Sequence, residues 1–307
     1  MLILVAGVTR YLGKLLAESG LEKGHQIRGF GRSSSKLPAS ILDKLESFVQ
    51  CEYYDDKAAL DKAVSGVDAV VCAYAPTMTA VMESQICLLR TVERAGVKVY
   101  HAHSWNCDWS KLSLGYFEFY DCYIMFRRYI ELTSSIKPVY VFTGAFGEMV
   151  LGEHVGIGYI KDTPDGKVFN HWGAGDAKYN FTYMPDAARF SIDLITTDSS
   201  VLAGNGGLFS IQSGEASAKD ISKVYEKIKG EKVRLRSLGG LEDLKVKLKE
   251  ARATLPPSKW FAYTNHISQI AAIEKAWTLD DPKVVGAVDA VGRLFDTQID
   301  RTAEFLE

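Results

Sequence analysis

Residues 2–13 of the chain read LILVAGVTRYLG, and this stretch decides the fold. Its apolar run from Leu2 to Gly7 predicts a buried strand, and apolar residues with helical spacing follow from Leu12 onward. The turn between them has glycine at Gly7 and Gly13, where small residues let the backbone approach a pyrophosphate at a helix N-terminus. The stretch therefore predicts the first strand, phosphate turn and first helix of a dinucleotide-binding domain. A tight turn without a ligand is the alternative interpretation.

Strands and helices alternate through the rest of the first half of the chain. Further strands are predicted at residues 26–32, 47–54, 68–75, 98–104 and 138–144, with helices at residues 38–45, 58–64, 81–95 and 121–133. This alternation predicts an α/β fold of the Rossmann type, with a doubly wound parallel sheet and right-handed crossovers.

The pattern loosens after Gly147. The later predicted elements are loops with short strands at residues 152–178, a strand at 208–213, an amphipathic helix at 218–229 and largely helical chain at 241–307. We therefore expect a Rossmann domain over residues 1–150. A smaller, mostly helical substrate-binding part is expected over residues 151–307, and some of its segments should return to the Rossmann sheet.

Composition and charge narrow the function classes. The chain has 307 residues, of which 47% are hydrophobic and 24% charged, a balance typical of a globular enzyme with a large core. Its formal net charge is -2 and no basic stripe stands out, so neither nucleic acid nor an anionic membrane surface is an expected partner. The longest apolar runs have the length of strands, which is too short for a membrane helix.

The N-terminus and the cysteines predict a cytoplasmic protein. The first strand begins at Leu2, which leaves no room for a signal or transit peptide before it. The 5 cysteines form no CxxC pair, and their odd number and scattered positions argue against a disulfide framework. A reducing cytosol is therefore the expected environment.

The end of the second predicted strand indicates which dinucleotide binds. NAD-binding domains usually place an acidic residue there, which bonds the ribose 2′-hydroxyl. This chain has GRSSSK at residues 31–36 instead, so Arg32 and Lys36 can pair with a 2′-phosphate and Ser33 can donate a hydrogen bond. Arg10, which replaces the third glycine of the common fingerprint, adds positive charge at the phosphate turn. NADP(H) is therefore the predicted cofactor, and a solvated basic turn is the alternative.

These features resemble the NmrA-like and isoflavone-reductase-like branch of the atypical short-chain dehydrogenases/reductases. The resemblance rests on segments in the order typical of that family: GVTRYLG at 7–13, RSSSK at 32–36, GVDAVV at 66–71, AGVK at 95–98 followed by Ser104-Trp105, and RRYIE at 127–131. It extends to about Pro185 and is weak beyond. The resemblance implies a nicotinamide-dependent reductase of small molecules or a dinucleotide-binding regulator.

The resemblance also singles out Tyr123. Reductases of this branch carry a lysine on the helix with the segment similar to RRYIE, and the corresponding position in this chain is Tyr123. Arg127 lies one helical turn further on, and residues i and i+4 share a helix face, so its guanidinium could polarise the phenol as a proton donor. An aromatic packing position beside a surface arginine is an equally weighted alternative.

Polar and aromatic residues follow the fifth predicted strand, where doubly wound sheets place their ligands. Ser104 and Trp105 could hydrogen-bond to and stack on a nicotinamide or a flat substrate, and a helix-entry loop is the alternative. His101 and His103 point to one side of the strand, but no third ligand with suitable spacing follows, so no metal is predicted. His103 is an alternative proton source. Ser104 lacks the G-x-S-x-G context of a hydrolase nucleophile.

The predicted catalytic residues are Tyr123, Arg127 and Ser104. The residues predicted to bind the cofactor are Gly7, Thr9, Arg10, Tyr11, Leu12, Gly13, Arg32, Ser33, Lys36, Ala75 and Phe146. In the related family, the chain near the position of Phe146 passes over the nicotinamide. The residues predicted to contact the substrate are Trp105, His171, Trp172 and Tyr183, which could form an aromatic pocket or a small core.

The predicted function is that of an NADP(H)-dependent oxidoreductase acting on an aromatic or polycyclic small molecule in specialised metabolism. Reduction of a C=C, C=O or C=N bond is the default reaction, and redox-assisted cyclisation is a variant. Because the family lysine is replaced, a non-catalytic NADP(H) sensor that regulates a protein partner is the alternative. The predicted partners are a small-molecule substrate and, in a homodimer, a second copy of the chain.

Overall fold

A computed structural model of the protein describes residues 1–152, 158–164, 166–276, 278–286 and 289–297. Within these ranges, no helix is both long and apolar enough to cross a membrane. The chain divides into two compact units. The first unit consists of Met1–Trp105, Tyr120–Phe142 and Met184–Phe209, and the second of Asn106–Phe119, Thr143–Tyr183 and the described part of Ser210–Glu307.

A parallel sheet forms the centre of the first unit. Its strands are β1 (Leu2–Ala6), β2 (Gln26–Gly31), β3 (Ser47–Gln50), β4 (Ala69–Cys72), β5 (Val99–His101) and β6 (Val139–Phe142). They lie side by side in the order β3-β2-β1-β4-β5-β6, which is the strand order of a doubly wound Rossmann sheet. The predicted α/β fold is therefore confirmed.

The first strand lies in the middle of this sheet. Val5 is paired with Gly29 of β2 on one side and with Val71 of β4 on the other. The residues from Ile3 to Ala6 are all fully buried, which explains why the strand appears in the sequence as a continuous apolar run. The strand order reverses between β1 and β4, and ligands of open α/β sheets bind at the carboxyl ends of strands at such a point.

Helices cover this sheet. They are α1 (Tyr11–Glu22), α2 (Ala39–Leu42), α3 (Lys57–Val64), α4 (Gln85–Arg94), α5 (Glu118–Thr133), α6 (Met184–Thr197) and α7 (Ser199–Leu202). Helices α1 to α5 lie close to predicted positions, whereas α6 and α7 were not predicted. The helix predicted at residues 81–95 has two parts, because a π turn over Ala80–Ser84 precedes α4. Helix α6 packs on α1, where Ile192 contacts the position of Gly20.

Several predicted strands of this sheet end earlier than expected, including β4, which ends at Cys72 rather than at residue 75. The third strand was expected to reach residue 54 and the fifth residue 104, but β3 ends at Gln50 and β5 ends at His101. Tyr54 and His103 therefore lie in the segments that follow the strands, at the carboxyl edge of the sheet.

The second unit contains two small sheets and several helices. Its strands are β7 (Ala145–Phe146), β8 (Ile160–Thr163), β9 (Gly166–His171), β10 (Tyr179–Thr182), β11 (Gly207–Gln212), β12 (Gly214–Ala216), β13 (Val233–Ser237) and β14 (Lys283–Val284). The described three-stranded sheets have the orders β12-β10-β7 and β13-β9-β8. Strand β11 begins in the first unit, where it follows β6 in the sheet order, and its later residues pair in parallel with β14.

The helices of the second unit are α8 (Ala218–Lys229), α9 (Leu241–Thr254), α10 (Thr264–Ile273) and α11 (Ala290–Arg293). Helix α8 matches its predicted range, because Ser217 and Asp220 form a capping box at its start and Gly230 ends it in the left-handed conformation. The core of this unit combines aliphatic side chains with the aromatic rings of Phe169, Phe181 and Tyr183. Residues 298–307, which the sequence predicts as helical, lie outside the described residues.

Candidate active site

The glycine turn lies at the carboxyl end of β1. Gly7 has φ +85, a conformation that favours glycine, and a Cβ on it would overlap the Ala73 carbonyl. A Cβ on Gly13 would overlap the carbonyl oxygen of Gly7 itself. Both glycines are therefore required by close approach of the protein's own backbone, and their predicted contact with a pyrophosphate stays a prediction.

Helix α1 starts directly behind this turn and points its N-terminus at it. Arg10 is the N-cap residue, and its side chain does not cap the first amides of the helix. A helix N-terminus with this geometry carries partial positive charge and suits a pyrophosphate. The predicted residues Thr9 and Tyr11 flank Arg10, and Thr9 packs beside Gly31 at the end of β2. The turn and the first residues of α1, which include Leu12, thus fit the diphosphate of a dinucleotide.

Arg32 follows the neighbouring strand β2 and is exposed. Its guanidinium carbon lies 5.8 Å from the ring centroid of Tyr54, which in turn stacks on Tyr74 with a centroid distance of 4.2 Å. Ser33 shares a hydrogen bond with Ser35 at 2.8 Å, and Lys36 ends the short 3-10 turn that follows. This group of cationic and hydroxyl side chains fits a 2′-phosphate.

Tyr54 and Tyr74 were not identified from the sequence. Tyr54 lies in the turn after β3 and Tyr74 lies in the segment after β4. Their rings stack because the order of the strands brings these two segments together at one edge of the sheet. The predicted cofactor residue Ala75 follows Tyr74 and is half-buried.

A group of aromatic and imidazole rings lies beyond the end of β5. His101 is fully buried, and its ring stacks on the Trp105 indole with a centroid distance of 4.5 Å. The Trp105 indole N–H donates to the Ser191 hydroxyl of α6 at 2.8 Å. Because Trp105 is only 2% exposed, its contacts favour a packing role, and its predicted contact with substrate stays a prediction.

His103 and Tyr123 form a hydrogen-bonded pair in this group. The Tyr123 hydroxyl on α5 lies 3.2 Å from His103 Nδ1, and the Tyr123 ring is almost fully buried. Burial, together with the nearby charges of His101 and Arg10, lowers the pKa of His103 to about 4. The imidazole is therefore neutral at pH 7, when it can accept a hydrogen bond on one nitrogen and donate from the other.

Arg127 forms an ion pair within its own helix. Its Nε donates to Glu131 Oε1 at 2.8 Å within α5, so the i,i+4 pair on this face is an ion pair. The structure gives the Tyr123 hydroxyl an imidazole contact, and the role of Arg127 in polarising Tyr123 stays a prediction.

Ser104 links the segment after β5 to strand β6. Its hydroxyl donates to the Ala102 carbonyl at 3.1 Å and accepts from the Val141 N–H at 2.8 Å, and the residue is fully buried. These contacts favour a structural role, and its catalytic role stays a prediction.

The remaining predicted substrate residues lie in the second unit. Tyr183 is fully buried, donates to the Ala290 carbonyl at 2.6 Å and carries the Arg293 guanidinium carbon 3.9 Å above its ring centroid. His171 and Trp172 are both 6% exposed. These contacts match the small-core interpretation of the aromatic residues, and contact with substrate stays a prediction.

Phe146 is the last of the residues that were predicted to bind the cofactor. Phe146 is half-buried in β7, where it is paired with Thr182 of β10. No group of three or more His, Cys, Asp or Glu side chains that could hold a metal ion occurs among the described residues.

The buried imidazoles make stability depend on pH. Burial also lowers the pKa of His101 to about 4, against 6.5 for an unperturbed histidine. Because the unfolded chain then binds more protons than the native one between these values, the free energy of unfolding should fall as pH drops through this window. We expect the free energy of unfolding of His101→Phe, which keeps a ring on Trp105, to fall by about 1.5 kcal/mol less than that of the wild type between pH 6.5 and 5.

Urea denaturation of both proteins at these pH values checks this expectation. The same comparison between pH 7 and 8 is the control, since both imidazoles are neutral there and the two proteins should change in parallel. Equal losses of the wild type and His101→Phe on acidification would contradict the buried, neutral His101.

The strand order and the glycine turn define a Rossmann-type α/β protein. The chain belongs to the NmrA-like family, whose sequence profile matches residues 1–287. The bifunctional pinoresinol-lariciresinol reductase of Linum usitatissimum is 25% identical over 207 residues, which cover 64% of this chain and 65% of the relative. The chain thus aligns with slightly less than two thirds of the length of this curated relative.

Solved structures share the fold. The binary complex of leucoanthocyanidin reductase and NADPH from Vitis vinifera superposes with a TM-score of 0.73 at 17% identity, over 97% of this chain and 99% of that chain. The NADPH-dependent quinone oxidoreductase complexed with NADPH from Escherichia coli superposes with a TM-score of 0.68 at 18% identity, over 96% of this chain and 100% of that chain.

Proposed function

We propose that the chain is an NADP(H)-dependent oxidoreductase acting on an aromatic small molecule. The observation that carries this proposal is the glycine turn at the carboxyl end of β1, with Arg32 at the end of the neighbouring strand β2. NADP(H) has two anionic groups. Its pyrophosphate suits the glycine turn, and its 2′-phosphate suits Arg32. The names of the relatives support the reaction class, because they describe reductases of lignans, flavonoid precursors and quinones.

Tyr123 and His103 supply the proton that a reduction requires. When bound, NADPH supplies the hydride. The Tyr123 phenol, whose ordinary pKa is about 10, donates its proton to the substrate atom that gains negative charge. His103 can then return a proton from Nδ1 to the phenolate at 3.2 Å and take up another at Nε2. The same pair can withdraw a proton from a substrate, which supports redox-assisted cyclisation as a variant of the proposal.

NADPH should bind at least about tenfold more tightly than NADH, a difference of roughly 1.4 kcal/mol. Arg32→Ala should remove most of this preference by weakening NADPH alone, because NADH has no 2′-phosphate for the guanidinium to pair with. Titration calorimetry with both dinucleotides measures the effect. Arg234→Ala, which removes an exposed arginine of β13 in the second unit, is the matched control. Equal affinity of the wild type for both dinucleotides would contradict the proposal.

A non-catalytic NADP(H) sensor is the competing function, and an assay of hydride transfer tests it. A sensor binds NADPH as proposed but transfers no hydride to any aromatic acceptor. An assay of NADPH oxidation with quinone, flavonoid and lignan substrates, with and without the enzyme, distinguishes the two functions.

A further inference from the structure

Gln85 is a buried polar residue that the proposed chemistry does not use. It is the first residue of α4, and its side chain is fully buried. Its Nε2 donates to the Val81 carbonyl at 2.9 Å, and its Oε1 accepts from the His103 N–H at 2.7 Å. A buried amide costs free energy unless its donor and acceptor are paired, so the two hydrogen bonds are the reason that a glutamine is accommodated here.

The His103 amide lies beyond the end of β5. The preceding amide, that of Ala102, still donates to the Val139 carbonyl of β6 at 2.9 Å. Successive amides point to opposite sides of an extended chain, so the His103 N–H faces away from β6. Two acceptors lie beside the His103 N–H, namely Gln85 Oε1 and the sulfur of Cys72. Sulfur is the weaker hydrogen-bond acceptor of the two. Gln85 therefore provides the stronger bond to this amide.

The residues before Gln85 form the π turn over Ala80–Ser84. Such turns are rare, usually span a single turn within an α-helix and occur frequently at functional sites. The Gln85 side chain bonds to Val81 inside this turn and to His103 after β5, so a single amide joins the two segments. The imidazole of the same His103 contacts the Tyr123 hydroxyl.

We propose that Gln85 is a positioning residue that holds the His103 backbone so that its imidazole meets the Tyr123 hydroxyl. The catalytic consequence rests on the proposed function, in which Tyr123 and His103 handle the proton. The positional claim is independent of turnover, because the hydrogen bond between the two rings can be observed in the resting protein.

The test compares Gln85→Met and Gln85→Glu in the full chain. Methionine keeps the length and removes both hydrogen bonds, whereas glutamate keeps an oxygen that can accept from the His103 N–H. The probe is the ¹⁵N chemical shift of the His103 ring nitrogens, and Tyr123→Phe identifies the signal that depends on the phenol. Gln85→Met should move this signal most of the way to its position in Tyr123→Phe, and Gln85→Glu should leave it near the wild-type position.

The kinetic readout separates positioning from binding. With an active substrate, Gln85→Met should lower kcat about tenfold or more and leave the KM for NADPH within about twofold, because only the proton donor is displaced. Gln269→Met, which replaces another buried glutamine on α10, is the matched control and should change neither the signal nor kcat.

A folded Gln85→Met variant with the wild-type His103 signal and kcat would overturn the proposal. If Gln85→Met fails to fold, Gln85→Glu decides, since loss of the His103 signal in that folded variant contradicts the role of the acceptor oxygen. If no substrate is ever reduced, the proposed function fails, and the NMR comparison still decides whether Gln85 positions His103.

Discussion

Tyr123→Phe is expected to lower turnover about a hundredfold or more while leaving the affinity for NADPH unchanged. The substitution removes one hydroxyl and keeps the buried ring, so the packing around α5 is preserved. The loss follows because the hydroxyl is both the proton donor to the substrate and the hydrogen-bond partner of His103 Nδ1 at 3.2 Å. Steady-state kinetics with a turned-over aromatic substrate measure kcat, and calorimetry measures NADPH binding.

Tyr120→Phe is the matched control for this experiment. Tyr120 lies one turn earlier on α5, is also buried, and packs edge-to-face on Tyr123 with a centroid distance of 5.8 Å. Removing its hydroxyl should leave kcat nearly unchanged. Normal turnover by Tyr123→Phe together with failure of Tyr123→Ala would show that Tyr123 is a packing residue, and that protonation has another source.

Gly13→Ala is expected to weaken NADPH binding about a hundredfold or more, and Gly13→Val to abolish it. The physical reason is local, since a Cβ on Gly13 would overlap the carbonyl oxygen of Gly7 and crowd Val8 Cα at 2.9 Å. The overlap involves backbone atoms that no side-chain rotation can relieve, so the turn must move away from the position that suits a pyrophosphate. Titration calorimetry with NADPH measures the affinity, and circular dichroism tests that the sheet is retained.

Gly240→Ala is the matched control for the glycine turn. Gly240 precedes α9 in the second unit, and a Cβ there would meet only Asp243 Oδ2 at 3.6 Å, an ordinary contact. Gly240→Ala should bind NADPH with the affinity of the wild type. A folded Gly13→Val variant that binds NADPH normally would place the dinucleotide elsewhere on the protein.

The sequence was most informative where one short segment contains the whole signal. The strand from Leu2 to Ala6 is buried on both faces and is therefore continuously apolar, and Gly7 and Gly13 meet within the same turn. Helix α8 was predicted with its observed bounds for the same reason, because its cap residues and its amphipathic pattern are adjacent in the chain.

Contacts between distant segments were not predictable. Gln85 looks in the sequence like an ordinary helix residue, and only the packing of α4 against the end of β5 brings its amide to His103. Tyr54 was placed inside a strand, whereas the stacking on Tyr74 depends on where β3 ends. The region of residues 152–178 was predicted as loops with short strands, and the pairing of its strands with distant segments such as β13 was not predictable.

Helical spacing predicted the position of Arg127 on α5 but not the contacts of its neighbours. The spacing correctly put Tyr123 and Arg127 one turn apart on α5, but Glu131 lies a further turn along and pairs with the guanidinium. The imidazole that meets Tyr123 comes instead from the segment after β5, which helical spacing cannot indicate.

A crystal structure of the full chain with NADP⁺ would show directly where the dinucleotide binds. We expect the pyrophosphate to lie against the turn between Gly7 and Gly13, the 2′-phosphate against Arg32, and the nicotinamide on the side of Tyr123 and His103. A dinucleotide bound elsewhere, or one whose nicotinamide lies away from Tyr123, would contradict this expectation.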